Sequence, residues 1–221
     1  MLQLPFIIHT SLGHEIAHCW WGNKVLVDIS SGNWSEGLTS YVADYFYKER
    51  AGEGRSYRQQ WLRNYASIVD VQNDFALSRF TSRSDPVTKV VGYDKGAMVF
   101  HMLRHQLGDG IFWATLRSIY ARFLFKAVSW KELELELTTQ STPQRKTITI
   151  AGARTVFSMA SPLRPQVLRA DADTQLFRRL VKEEVPPTIN GIRGASKITV
   201  IVARALGRQG LELAQRMEIA L

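Results

Sequence analysis

The run His14-Glu15-Ile16-Ala17-His18 constrains this chain more than any other feature. Residues four apart share one face of an α-helix, with Cβ atoms about 5–6 Å apart. Two imidazoles on such a face can both reach one zinc ion at about 2.0–2.1 Å. Glu15 lies about 100° around the helix from His14 and about 60° from His18. It borders the metal face without having to ligate, a position that suits a general base taking a proton from water. The pattern predicts a helix from Ser11 to Trp21, stopped near Gly22-Asn23. The competing interpretation is a helix that simply carries two core or surface histidines.

A hydrolytic zinc site takes three protein ligands and keeps a fourth position open. Glu36, placed 18 residues beyond His18, is the candidate third ligand. It opens the next amphipathic stretch, a helix expected from Ser35 to about Arg50 with Ser35 as its cap. A carboxylate in the first turn also favours a helix N-terminus, and the two roles are compatible. Between the two helices, Lys24 to Ile29 suits a short strand or loop, and Ser30-Ser31-Gly32-Asn33 a turn. Further helices are expected over Tyr57–Val71, Asp94–Leu107 and Gly110–Phe123. Gly52 and Gly54 are expected to end the helix before Tyr57. A last core helix, Ser129–Leu137, opens with a Ser129/Glu132 capping box. Ser82–Val91, with Asp85-Pro86, is expected to be loop.

The run His14 to Asn23, followed by Asn33-Trp34-Ser35-Glu36-Gly37-Leu38, resembles the M1 family of zinc aminopeptidases. A separate match, Gly92-Tyr93-Asp94-Lys95-Gly96-Ala97-Met98, resembles that family's Tyr-x-Lys-Gly-Ala segment. The likeness covers roughly residues 6–137. It implies a mainly α (α+β overall) fold, a thermolysin-like helical catalytic core. It implies one Zn2+ ion, peptide or protein substrates and peptide-bond hydrolysis. It also implies that Tyr93 hydrogen-bonds the oxyanion of the tetrahedral intermediate. By its position alone, Tyr93 is equally a half-buried aromatic at a helix entry. The span between His18 and Glu36 is one residue shorter than the family's, and Ser35 stands where the family has Asn. The family's upstream Gly-x-Met-Glu-Asn segment has no counterpart here, so the chain is expected to begin in mid-domain.

Near Thr138 the composition changes to the linker-like Thr-Thr-Gln-Ser-Thr-Pro, dividing a 1–137 core from a 138–221 region of uncertain fold. A small α/β or β-containing tail is expected there: a hairpin around Ala151-Gly152, a strand over Lys197–Val202 and a helix over Leu206–Leu221. The chain carries 28 Lys and Arg against 20 Asp and Glu, and the excess lies beyond residue 140. The basic residues are scattered and match no nucleic-acid motif, so a solvated basic surface is expected rather than a specific nucleic-acid partner. No membrane span and no signal peptide is read from the sequence, and neither compartment nor oligomeric state follows from it. Of the remaining candidates, His101 and His105 also stand four apart but lack an acidic third ligand. They are expected on a helix surface or packed near the site. Cys19 is expected to be a small packing residue, Trp20 and Trp21 to pack the core, and Asp44 to be an exposed helical carboxylate or a partner orienting a zinc histidine. The alternative to a peptidase is a non-catalytic zinc-binding or scaffold remnant that acts through interactions.

Overall fold

The computed structural model describes residues 11–133, 171, 173–181, 184–185 and 212. These residues form a mainly α fold with one small three-stranded sheet, ordered β1-β2-β3. Helix α1 spans Ser11–His18 and stops earlier than expected, because Cys19 and Trp20 form a closing turn onto the carbonyls of Ile16 and Ala17. Strands β1 (Trp21–Gly22) and β2 (Val25–Val27) follow, and β3 (Ala127–Val128) pairs with β2 in parallel. A 3-10 turn, Ile29–Ser31, is capped by the Asp28 carboxylate.

Helix α2 runs over 35–50 in three stretches: α-helical Ser35–Thr39, a π segment Ser40–Tyr45, and α-helical Phe46–Arg50. Ser35 is not its cap. The Asn33 side chain accepts the Ser35 N–H at 3.0 Å, and Ser35 already lies inside the helix. Trp34, fully buried, donates its indole N–H to the Val128 carbonyl at 2.7 Å, which ties the start of α2 to the sheet. Helix α3 spans Gly54–Ile68. Gly54 therefore opens a helix rather than closing one, and Gly52 makes the turn at φ +78°.

Helix α4 covers 86–107, comprising Pro86–Lys89, a π segment Val90–Lys95, and Gly96–Leu107. The expected loop thus ends at Asp85. Asp85 and Thr88 form a capping box, and Pro86 occupies a first-turn position, where its missing N–H costs nothing. Gly108, at φ +82°, separates α4 from α5, Asp109–Arg122. The Ser129/Glu132 capping box is present: Glu132 accepts the Ser129 N–H at 2.9 Å, and the Ser129 hydroxyl accepts the Glu132 N–H at 3.2 Å. The expected hairpin, the Lys197–Val202 strand, most of the terminal helix and the 137/138 boundary lie outside the described residues.

The core is built from the inner faces of α2, α4 and α5, with Trp34, Leu38, Tyr41, Tyr45, Phe100 and Phe112 almost wholly buried. Trp21 belongs to it. Trp20 does not, and is 45% exposed, because the turn after His18 points successive side chains in different directions. Cys19 is exposed as well. The stretch 173–181 lies against α3 and α4. Arg58 donates to the Thr174 and Asp173 carbonyls at 2.7 Å, and the Phe177 ring meets Tyr65 at 4.7 Å. Among the described residues, no helix is long and apolar enough to cross a membrane.

One crossing determines how close the site elements come. A Cβ on Gly37 of α2 would sit 2.9 Å from the backbone of Gly96 in α4. Only hydrogen at both positions permits this approach of two backbones. Gly37→Ala is expected to destabilise the fold by about 1–3 kcal/mol, after offsetting a helix-propensity gain of about 1 kcal/mol. Gly110→Ala, in α5 with open space around it, should be neutral or mildly stabilising. Urea melts of the two variants check this pair; equal stabilities would contradict the crossing.

Candidate metal centre

The site is assembled from α1, α2 and α4. His14 Nε2 and His18 Nε2, one turn apart on α1, each lie 3.3 Å from Glu36 Oε2 on α2. The three donor atoms fall within 4.8 Å of one another. The two rings stand edge to face at 4.9 Å, so both present a nitrogen to the same point.

The other ring nitrogens are already committed. His14 Nδ1–H donates to Asp44 Oδ2 at 3.0 Å, and His18 Nδ1–H donates to the Trp21 carbonyl at 3.0 Å. With Nδ1 protonated for these acceptors, a neutral imidazole presents a lone pair at Nε2. Two lone pairs and a carboxylate oxygen then face one another, an arrangement that requires positive charge between them. The titration behaviour expresses this. Burial works against charge on His14, but hydrogen bonds to Asp44 and Glu36 outweigh it and raise its pKa to about 9. The hydrogen bond to Glu36 likewise raises His18. Glu36 is also held against its burial, its pKa drawn down to about 2 by His14 and His18. Protons and a divalent cation compete for such a site. The donor set fits zinc: two donors each about 2.0–2.1 Å from a tetrahedral ion lie about 3.3 Å apart.

Asp44 reaches His14 because of the π segment. Eight residues of uniform α-helix would turn Asp44 about 80° away from Glu36. The wider π turn over Ser40–Tyr45 winds less per residue and brings both carboxylates to one face. Asp44 is thus a buried-side partner of His14, not a solvated helical carboxylate. Such partners fix the imidazole and typically change metal affinity by about 10–100-fold. Asp44→Asn is expected to weaken zinc binding by about that factor with unchanged helicity; competition with a zinc chelator and circular dichroism check it.

Tyr93 is half-buried in the π segment of α4, its ring stacked on His14 at 6.0 Å. Burial and the Glu36 carboxylate beside it push its phenol pKa well up, so it remains a proton donor at neutral pH. Glu15 is exposed on the same cleft and makes no hydrogen bond or ion pair among the described residues. The cleft, about 1010 Å³, collects all five of these residues. His101 and His105 are not brought together. His101 is buried, bonded to Tyr41 and Gln175, and burial lowers its pKa to about 4, whereas His105 is exposed.

Residues 7–151 match the model of the peptidase family M1 domain. This chain belongs to peptidase family M1. Among characterised M1 relatives it is similar to mitochondrial aminopeptidase 2 of Saccharomyces cerevisiae, 26% identical over 106 residues, covering 45% of this chain and 11% of the yeast protein. It is also similar to aminopeptidase N of Oryctolagus cuniculus, 29% identical over 150 residues, covering 61% of this chain and 15% of that protein. An M1 zinc metallopeptidase from Deinococcus radiodurans, solved with a Tyr-Ser-Ala substrate, is 27% identical. The match covers 58% of this M1 chain and 29% of that structure, at a TM-score of 0.49. The chain therefore spans less than a third of each relative's length.

Proposed function

We propose that this chain is a zinc-dependent peptide-bond hydrolase. His14, His18 and Glu36 hold one zinc ion, Glu15 is the general base, and Tyr93 is the oxyanion donor. The observation that carries the reading is the convergence of two Nδ1-anchored imidazoles on one Glu36 oxygen, beside a carboxylate unpaired among the described residues and a protonated phenol. Zinc, when bound, supplies a Lewis acid and makes water a nucleophile near neutral pH. Asp44 and the Trp21 carbonyl keep both imidazoles aimed inward. Glu15 accepts the proton of the attacking water and passes it to the leaving amine. Tyr93 donates its hydrogen bond to the carbonyl oxygen as charge develops there.

One observation favours a second reading, a zinc-binding scaffold without turnover. Leu12 and Ile16 on α1 and Trp20 in the turn after it are exposed, and exposed apolar side chains, where they gather into a patch, mark interaction surfaces. The two readings separate in one assay. Zinc-loaded protein is offered an aminoacyl chromophore and an internally quenched peptide. Hydrolysis of either, lost in Glu15→Gln, supports the peptidase; a loaded protein that cleaves neither supports the scaffold.

A further inference from the structure

Three cations line the cleft: Lys48, Arg83 and Lys89. Lys48 is paired with Glu53 at 2.7 Å, and Lys89 with the buried Asp94 at 2.7 Å. Arg83 makes no ion pair or hydrogen bond among the described residues, although its charge acts on the Tyr93 phenol.

The segment that carries Arg83 is held at both ends by elements of the metal centre. On one side, Asn33, whose side chain also closes the start of α2, donates its backbone N–H to Phe80 O at 2.6 Å. Its side-chain amide donates to Thr81 O at 3.2 Å. On the other side, Ser84 N donates to Thr88 Oγ1 at 2.9 Å, inside the capping box that starts α4. The Arg83 backbone is therefore fixed relative to both Glu36 and Tyr93, while its guanidinium has no acidic partner among the described residues. The other unpaired charge on this lining, Glu15, is negative. An arginine so placed presents a planar fork suited to a carboxylate.

We propose that Arg83 binds a carboxylate of the peptide lying in the cleft, so that the enzyme prefers peptides carrying a free carboxylate near the scissile bond. The proposal rests on the peptidase reading above. The carboxylate is either the C-terminus of a short peptide or an acidic side chain, and both present the same chemistry to the guanidinium. Because Arg83 is exposed, the contact should be worth about tenfold in affinity, the low end for a charge-assisted bond, and should weaken as salt is raised.

Binding is measured without turnover, by calorimetry on zinc-loaded protein in the Glu15→Gln background. The probes are an apolar tripeptide as free acid, the same tripeptide as C-terminal amide, and an amidated tripeptide carrying one Glu. The free acid should bind about tenfold tighter than the apolar amide if the C-terminus is the ligand. The Glu-containing amide should do so if the side chain is. Adding Arg83→Gln should erase the preference, and Arg83→Lys should retain part of it. All three probes binding alike, or a preference that survives Arg83→Gln, overturns the proposal while leaving the peptidase reading intact. Zinc-loaded protein that binds none of the three overturns both.

Discussion

Glu15→Gln is expected to bind zinc as the wild type does and to lose peptide hydrolysis by about 10²–10⁴-fold, the usual contribution of a positioned acid–base group. The side chain is placed for this role by elimination as well as by geometry. It lies on α1 between the two histidines, faces the cleft, and makes no hydrogen bond or ion pair among the described residues. Glutamine preserves size and polarity but cannot accept a proton. The two histidines proposed as ligands keep their own anchors, Asp44 and the Trp21 carbonyl, so loading should not change. Single-turnover hydrolysis by zinc-loaded wild type and variant reads the difference. A variant that retains most of the rate would move the base elsewhere in the cleft.

Glu36→Ala is expected to remove most zinc affinity. Four-ligand structural zinc sites bind with about 10–16 kcal/mol at neutral pH, so one ligand of four is worth roughly 3 kcal/mol, or more than about 100-fold in Kd. The loss here should be at least that large, because Glu36 supplies the only carboxylate oxygen within 3.3 Å of both imidazoles among the described residues. Removing it also leaves His18 without a carboxylate partner among the described residues, while His14 keeps only Asp44. Equilibrium dialysis against buffered zinc measures the change. An affinity within threefold of wild type would show that Glu36 serves only the N-terminus of α2.

The sequence carries much of this site because its spacing is local. Two histidines four apart come close enough to share one ion on a helix but not on a strand, and α1 is a helix over Ser11–His18. Glu36 follows from the turn chemistry that returns the chain to the first helix. The long-range features were less legible. A uniform α register turns Asp44 away from Glu36, and no residue pattern announces the π segment that restores it. Pro86 reads as a breaker, but behind the Asp85 cap it starts a helix. Trp20 and Trp21 look alike in sequence; the turn onto the carbonyls of Ile16 and Ala17 buries one and exposes the other. The Gly37–Gly96 contact joins residues 59 positions apart, so neither glycine signals its partner.

The most direct test of the account is a zinc titration of metal-free protein with peptide hydrolysis as the readout. No hydrolysis is expected without metal, and activity should rise linearly and saturate at one zinc per chain. Hydrolysis that is indifferent to zinc, or one zinc bound at His14, His18 and Glu36 with no hydrolysis of any peptide offered, would contradict it.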